Sequence, residues 1–375
     1  MKKHLVLATG LALLSTSAFA TKARMDAFRQ DANRGSLFLE DTRNVFRNAA
    51  NVNSMKNYVL TEWGVDGAND SATAPQAEGG VFREAGNFNY GLYLGSDINN
   101  GNSNRTGSDA AFVSNDNNLS LFVGGDMGME WGLRLNYANN KNEGSIKKDQ
   151  SAYGLGLGIN MGDLAAWANL DLKDESKGAS AAGDKWTADL GLNLGASYKV
   201  SGMTVFADYS KTGDEYAAVG AAFKPTHSAT DIQVGAAKVY DHGASARTFA
   251  SVVYTNNKTE TKSAATTTSE TSSVTLPVTL GFEADATSWL TLRGSVAQPI
   301  FLNSLETKST GSVTTKVSNT NQANVAAGAT LNFGKLKVDG SIGTTTAAAG
   351  RAAGGSAGLL TLDNLMSRVS VHYWF

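Results

Sequence analysis

Apolar and polar side chains alternate with a period of two residues along most of the chain. The residues from Val369 to Phe375 show this alternation, as do Leu119 to Val123, Trp131 to Tyr137 and Tyr153 to Met161. A period of two is typical of a β-strand, because successive side chains of a strand point to opposite faces. The pattern recurs about ten or more times, with glycine frequent at the other parity, and this predicts a closed antiparallel barrel.

About 14 segments carry the pattern, an even number as in single-chain outer-membrane barrels. They are 80–95, 118–125, 130–138, 151–161, 163–173, 185–199, 202–211, 230–240, 245–256, 273–284, 288–298, 321–333, 335–343 and 366–375. Long and short connections alternate between them, which predicts long loops outside the cell and short turns in the periplasm. Residues 212–229 are interpreted as a long external loop that folds into the lumen. If 215–223 and 57–63 instead joined the wall, the count would be about 16.

The two faces of the predicted strands differ in polarity. Along 185–199 one parity carries Trp186, Leu192 and Tyr198, whereas the other carries Asp189 and Asn193. An apolar face with aromatic residues at both ends is typical of a strand that faces lipid, because aromatic rings settle at the level of the headgroups. The fold class predicted is therefore all-β, a transmembrane up-and-down barrel.

Charged residues occupy the opposite parity, which is predicted to face the lumen. A charge facing lipid at mid-bilayer costs about 2–4 kcal/mol for Arg or Lys, so these side chains are expected to face water or each other. A barrel of about 14 strands is wide enough for a water channel, although salt-bridge ladders that brace a filled barrel are the alternative. The predicted pore-lining residues are Arg83, Arg134, Asp171, Asp189, Asp208, Asp231, Glu283, Arg293, Lys337, Asp339 and Arg368.

The first 20 residues have the pattern of a secretory signal peptide. Lys2 and Lys3 precede an apolar stretch, and Ala18-Phe19-Ala20 is a small-x-small cleavage site, so the mature chain is predicted to start at Thr21. The apolar stretch is too short to cross about 30 Å of hydrocarbon as a helix. Export to the bacterial outer membrane is the predicted localisation.

Residues 21–78 lack the barrel pattern, and the barrel is predicted to span 79–375. The segment is rich in arginine with interleaved acidic residues, and it ends in a strand-like stretch around Tyr58 to Trp63. We expect it either to plug the lumen or to lie beneath the barrel on the periplasmic side, since mixed charges suit a polar lumen. A partly disordered linker is the alternative.

Composition narrows the possible chemistry. The chain has no Cys, which excludes thiol nucleophiles, disulfides and Cys/His zinc sites, and the mature chain has three histidines, His227, His242 and His372. Without Lys2 and Lys3 the chain has 30 basic and 34 acidic residues, so its net charge is near −4 and does not suggest nucleic-acid binding. We predict no metal, no cofactor and no enzymatic activity. The alternative is an outer-membrane protease or phospholipase with His and Asp or Ser at the rim.

The signal peptide, the alternating strands and the terminal Tyr373-Trp374-Phe375 together resemble outer-membrane porins of Gram-negative bacteria. The resemblance implies that the terminal aromatic residue is recognised by the barrel-assembly machinery. The stretch from Arg43 to Ala50 is similar to the hatch region of the long-chain fatty-acid channel family, with Ala49 in place of a proline. The arginine-rich stretch with Tyr58 to Gly64 also resembles major outer-membrane proteins of predatory bacteria.

The function predicted from these features is passive diffusion of small hydrophilic solutes and ions across the outer membrane. Two alternatives remain open: an uptake channel for hydrophobic substrates with an N-terminal hatch, and a structural or adhesion barrel without conductance. Besides lipid, the assembly machinery and solutes, a homotrimer is a possible assembly, with Ala-rich outer faces on 163–173 and 321–333 as contact surfaces.

Overall fold

The structure is a computed structural model that describes residues 21–64, 77–96, 112–113, 115, 118–311, 314–318, 323–346 and 368–375. The predicted signal peptide, with Ala18 and Ala20 of its cleavage site, lies outside the described residues. So do most of the predicted loops 96–117 and 344–365. For 267 and 342–346 the backbone alone is described.

One antiparallel sheet closes on itself to form the wall. It contains 18 strand segments. Lys185–Ala188 and Gly191–Val200 continue one another between the same two neighbours, and Thr315–Val317 and Asn324–Phe333 pair with the same preceding strand, so the wall has 16 strands. The strands are β1 (Tyr58–Gly64), β2 (Glu78–Ala85), β3 (Phe88–Leu94), β4 (Leu119–Asp126), β5 (Glu130–Glu143), β6 (Lys147–Met161), β7 (Leu164–Lys177), β8 (Lys185–Ala188 and Gly191–Val200), β9 (Met203–Ala217), β10 (Thr226–Asp241), β11 (Ala246–Ala264), β12 (Thr267–Thr287), β13 (Leu290–Ser309), β14 (Thr315–Val317 and Asn324–Phe333), β15 (Leu336–Thr346) and β16 (Arg368–Trp374).

The predicted class of closed antiparallel barrel is confirmed, and the predicted count of about 14 strands is wrong. Two strands were missed. Gly86, with φ 62°, turns the chain inside the segment 80–95 and divides it into β2 and β3. Tyr58–Gly64 joins the wall by pairing with β16 on one side and β2 on the other. The wall therefore begins at Tyr58 rather than at 79, and closure depends on this strand.

The connections alternate between two rims, as predicted. The rim that carries the tight turns 86–87, 127–129, 162–163, 201–202, 242–245, 288–289 and 334–335 is called the turn rim, and the opposite rim is called the loop rim. Four predicted loops, 139–150, 212–229, 257–272 and 299–320, are mostly strand. In these parts Thr, Ser, Lys and Glu residues lie opposite one another on neighbouring strands, as Lys258 does with Ser272. The strands therefore continue beyond the apolar band, where neither face is apolar and the alternation gives no signal.

The outer face of the wall is apolar. Exposed Leu121, Leu135, Leu157 and Val234 belong to the parity that points away from the lumen. Tyr137 and Tyr153 face each other near one end of this band, and exposed Tyr198, Tyr240 and Phe333 lie near the turn rim. An apolar band between two aromatic girdles is what a transmembrane barrel presents to lipid. No helix among the described residues is long and apolar enough to cross a membrane.

Residues 21–57, here called the N-terminal segment, pack against the face of the wall opposite the exposed apolar band. The segment contains helix α1 (Lys22–Ala27) and two 3-10 helices, η1 (Thr42–Phe46) and η2 (Ala49–Ser54). Helix α1 lies against β13 to β16, and η2 lies against β3 to β6. Thr21, Asp41 and Asn48 cap the three helices with their side-chain oxygens, which satisfies backbone N–H groups that would otherwise be buried without a partner.

Candidate functional site: the lumen and the N-terminal segment

A row of three glycines forms a flat surface on the inner face of the wall, and η2 packs against it. Gly124, Gly132 and Gly158 lie directly opposite one another on β4, β5 and β6. A Cβ atom on Gly132 would lie 2.1 Å from the carbonyl oxygen of Ala49, and one on Gly158 would lie 1.8 Å from Oδ1 of Asn48. Because only a residue without a side chain fits there, the wall is shaped to receive this part of the segment.

Aromatic rings on the inner face lie over glycines of the neighbouring strands. Each ring covers the glycine that faces it across the ladder, where a Cβ atom would come within 2.2–2.7 Å of the ring. The pairs are Phe82 with Gly91, Tyr93 with Gly80, Trp167 with Gly195, Phe206 with Gly235 and Phe249 with Gly281. Such pairs fix strand register.

The N-terminal segment covers these inner rings. Phe46 meets Tyr93 edge to face with ring centroids 4.9 Å apart, and Phe38 stacks on Phe206 at 6.1 Å. The expectation of a polar inner face was therefore incomplete. A signal was present in the sequence, since Phe206 stands between Val205 and Ala207 and breaks the alternation.

A buried ionic network joins α1 to the wall on the side of β12 to β15. Arg24 donates from Nε to Glu283 at 2.8 Å and from Nη1 to Asp41 at 3.2 Å, and all three side chains are at most 5% exposed. Glu283 also contacts Arg293 at 3.2 Å, and Arg293 donates to Asp339 at 3.3 Å. A charge buried in this way is tolerated only while its partners stay in place.

A second network joins η1 to β1, β2 and β3. The Nη1 atom of Arg43 lies 3.0 Å from Glu62 and 2.8 Å from Glu78, and it donates to the hydroxyl of Tyr93 at 2.9 Å. Lys22 reaches Glu78 at 3.0 Å. The carboxylates thus bridge the segment to the first strands of the wall.

A third contact ties the segment to the opposite wall. Arg47 donates to Asp208 at 3.3 Å, and Asp208 also accepts from Nε1 of Trp167 at 2.9 Å and from Asn193 at 2.8 Å. Arg134 is 3% exposed and donates to the carbonyl oxygen of Phe46 at 3.1 Å. The N-terminal segment is therefore held at several points around the wall.

Nine of the eleven predicted pore-lining residues lie on the inner face, and five of these are buried at 5% exposure or less. The buried five are Arg134, Asp208, Glu283, Arg293 and Asp339, whereas Asp171, Asp231, Lys337 and Arg368 are partly exposed. Arg134, Arg293, Asp208 and Glu283 are predicted to line the pore, and in the structure all four are buried. Their polar groups bind one another or the N-terminal segment, a filling that strand periodicity does not reveal.

The structure corrects two of these positions. Arg83 is exposed next to exposed Val81 and opposite in parity to buried Phe82, so it lies on the outer face. Asp189 lies in the interruption between the two parts of β8. The interruption also reverses the parity of this strand, which places Trp186 inside with 0% exposure although it was predicted to face lipid.

Phe112 and Val113, which lie between β3 and β4 in the sequence, also contact inward side chains of the wall. Phe112 is 4% exposed and packs with Trp186 and Ala179, and its ring meets Tyr216 edge to face at 5.5 Å. Ser176 of β7 donates to the carbonyl oxygen of Val113 at 3.4 Å. Residues 212–229, predicted to fold inward as a loop, are strand at both ends, and Tyr216 within them meets the ring of Phe112.

A cavity of about 660 Å³ lies between the N-terminal segment and the wall, near the turn rim. Its wall side is formed by residues of β5 to β9 and β11. Charged lining residues include Glu40, Arg47, Asp163, Lys199 and Arg247, and apolar ones include Leu37, Phe38, Leu39, Leu164 and Trp167. Its volume is within the range of sites that hold small molecules.

Burial raises the pKa of Asp41 to about 7, against the lowering effects of Arg24 and of the backbone N–H of Arg43. The pKa of Arg24 is raised because Glu283 and Asp41 outweigh the cost of its burial. A carboxyl whose pKa is higher in the folded than in the unfolded chain stabilises the fold fully below about pH 4, and this contribution is lost as the pH rises through about 7.

We therefore expect Asp41→Asn to gain stability relative to wild type as the pH rises from about 4 to about 7, because the wild type loses the contribution of Asp41 over this range and the asparagine side chain does not titrate. The midpoint of thermal unfolding in detergent, measured across that range, tests this. Glu40→Gln, at a 90% exposed side chain, is the control. Equal pH dependence in wild type and Asp41→Asn would contradict the assignment.

The histidines lie apart from one another. Nδ1 of His227 is 3.5 Å from Asp214 on the loop-rim side, His242 is hydrogen-bonded to Thr248 at the turn rim, and His372 is buried beside Tyr58 and Asp339. Among the described residues no group of three or more His, Asp or Glu side chains is arranged to hold a metal ion.

Comparison with solved structures finds outer-membrane β-barrels at low sequence identity. The loop-deletion mutant of OmpT, an outer membrane protein of Vibrio cholerae, is 10% identical with a TM-score of 0.38, over 85% of this chain and 97% of that chain. The FrpB iron transporter of Neisseria meningitidis is 12% identical with a TM-score of 0.36, over 78% of this chain. The matched part is 62% of the FrpB chain.

An anion-selective porin from Comamonas acidovorans is 13% identical with a TM-score of 0.31, over 85% of this chain and 97% of the porin. No family model matches the sequence. No curated protein matches it either. The likeness to these barrels is one of architecture.

Proposed function

We propose that this protein is a passive outer-membrane channel for small hydrophilic solutes and ions, whose N-terminal segment permanently narrows the lumen. The cavity of about 660 Å³ between the segment and the wall carries this proposal, because it provides space lined by charges of both signs inside a transmembrane barrel. The proposed function is not enzymatic. Export by the signal peptide and recognition of Phe375 by the barrel-assembly machinery belong to the same proposal.

The proposed route for solutes runs along one side of the lumen and not along the barrel axis. The glycine row and the networks of Arg24 and Arg43 hold the segment against β1 to β6 and β12 to β16. The cavity lies on the other side, against β5 to β9 and β11. Partly exposed Asp231 lines the inner face of the same side further toward the loop rim. Lys199, Arg247 and Asp231 are therefore better candidates for charge selection than the buried residues Arg134 and Arg293.

A second candidate is an uptake channel for hydrophobic substrates in which the segment acts as a hatch. The apolar part of the cavity lining, with Phe38, Leu164 and Trp167, favours this function. Here the segment has to move for transport, whereas in the passive channel it stays in place. A disulfide between the segment and the wall would block transport by a hatch but not passive diffusion, so it distinguishes the two functions.

The chain has no Cys, so a single engineered pair can form this disulfide. A Cβ atom on Gly328 of β14 would lie 2.9 Å from Cβ of Ala27, somewhat closer than the roughly 3.8 Å of a disulfide, so a small shift allows the bond. We expect the oxidised double variant Ala27→Cys, Gly328→Cys to conduct ions in planar bilayers as its reduced form does.

Ala27→Cys alone is the control for oxidation. Conductance or substrate uptake that disappears on oxidation of the double variant, and returns on reduction, would replace the passive channel with the hatch. Absence of single-channel current in the wild type would contradict both and leave a structural or adhesion barrel.

A further inference from the structure

Two basic side chains project from the outer face of the wall near the turn rim. Arg83 lies on β2 two residues before the end of that strand at Ala85, and Lys238 lies on β10 three residues before its end at Asp241. Arg83 shares its parity with exposed Val81, and Lys238 shares its parity with exposed Val234 and Tyr240. Both cations therefore lie on the lipid-facing surface at the depth of the turn-rim aromatic girdle.

Each of these cations is held over an aromatic ring. The guanidinium carbon of Arg83 is 5.7 Å from the ring centroid of Phe375, and Nζ of Lys238 is 4.9 Å from that of Tyr240. A ring beneath the cation restricts its position and attracts it without neutralising its charge. The two sites lie far apart along the wall and have the same construction.

Within the described part of the chain, neither cation has a carboxylate within 4 Å. The nearest acidic neighbour of Arg83 in sequence, Glu84, is instead paired with Lys56 at 2.5 Å. This contrasts with the arginines Arg24, Arg43 and Arg47 of the N-terminal segment, which all bind carboxylates. A phosphate of a lipid headgroup lies at the depth of these outward cations and can pair with them.

The surroundings of Arg83 fit a phosphate group. Tyr90 lies directly across from Arg83 on β3, with 47% of its surface exposed, and Phe375 is 45% exposed on the other side. A guanidinium forms two parallel hydrogen bonds to a phosphate, and a neighbouring phenol can donate a third. These groups meet where β16, β1 and β2 close the barrel.

We propose that Arg83 binds the phosphate of an anionic phospholipid headgroup in the leaflet at the turn rim, and that Lys238 is a second site of the same kind. The ligand is a lipid of that leaflet rather than a free anion, because the cation lies on the outer face of the wall, beside the exposed apolar side chains that face the acyl chains. This role is independent of solute passage through the lumen.

The test is retention of phosphatidylglycerol by the purified full-length mature barrel in native mass spectrometry, with phosphatidylcholine of the same acyl chains as the neutral reference. We expect wild type to retain phosphatidylglycerol preferentially and Arg83→Gln to reduce that preference by about tenfold, since a charge-assisted bidentate contact is lost. Arg83→Lys should keep part of the preference, and Lys238→Gln should remove the second site.

Lys56→Gln is the matched control, because Lys56 is a basic residue at the same rim that already has a carboxylate partner. The proposal is overturned if Arg83→Gln retains phosphatidylglycerol as wild type does, or if Lys56→Gln loses as much. Inorganic phosphate that competes fully with the lipid would also overturn it and leave a free-anion site. If Arg83→Gln does not fold, judged by heat-dependent gel mobility, the comparison of Lys238→Gln with Lys56→Gln decides.

Discussion

Replacing Arg24 with methionine is expected to lower the free energy of unfolding by about 3–5 kcal/mol, because it leaves buried Asp41 without its cationic partner and removes one of the two buried arginines that contact Glu283. The side chain is 0% exposed and bridges the N-terminal segment to the wall, so the loss is not screened by solvent. Urea unfolding of the barrel in lipid vesicles, followed by tryptophan fluorescence, measures the change.

The double variant Arg24→Met, Glu283→Gln is expected to cost less than the sum of the two single variants, since each single variant already removes the contact between Arg24 and Glu283. Lys199→Met is the matched control. Lys199 pairs with Glu40 at 3.6 Å, but both side chains are more than half exposed, and such pairs contribute at most about 1 kcal/mol. An equal cost for Arg24→Met and Lys199→Met would mean that the segment is not held by this network.

The strand periodicity of the sequence predicted most strands of the wall. Segments such as Tyr153 to Met161 and Val325 to Phe333 were predicted as strands with the correct face outward, because lipid imposes a strict apolar parity on a regular strand. The same rule could not divide 80–95, where Phe88 continues the apolar pattern directly after the turn at Gly86. A two-residue turn leaves too little polar sequence to interrupt the alternation.

Parity assigns faces only while the ladder is regular. The interruption after Ala188 turns Trp186 inward, and Arg83 was assigned to the lumen because a charge was assumed to avoid lipid. Near a rim that assumption is weak, since the cost of an outward Arg or Lys falls to about 0–1 kcal/mol at the interface. The depth of a residue therefore has to be known before its charge predicts its face.

The contents of the lumen could be predicted least. Mixed charges in 21–78 were consistent with a plug, a periplasmic cap or a linker, and these alternatives differ in contacts between residues more than 200 positions apart, such as Arg24 with Glu283. Composition also could not show that inner glycines such as Gly132 are needed because η2 packs directly against the backbone there. The same glycines suit any narrow or crowded part of a barrel.

Replacing Gly132 with valine is expected to displace η2 from the wall and to have the largest effect on conductance. A Cβ atom at this position would lie 2.1 Å from the carbonyl oxygen of Ala49 and 2.4 Å from the backbone nitrogen of Ala50, so the backbone of the segment has to move away. Valine favours strands, and the wall itself is expected to fold. We expect a several-fold larger single-channel conductance and trypsin cleavage at Arg43 or Arg47, which are buried in the wild type.

Gly144→Val is the matched control, because the nearest atom to a Cβ at Gly144 is 3.6 Å away, in a hairpin at the loop rim. Heat-dependent gel mobility confirms that both variants form barrels before conductance is compared. If Gly132→Val conducts like wild type while Arg43 and Arg47 become accessible to trypsin, the segment does not limit the flow and the constriction lies elsewhere, with the cluster of Phe112 and Trp186 as the next candidate. If the two arginines stay protected, the wall has yielded instead of the segment, and the glycine row does not determine where η2 sits.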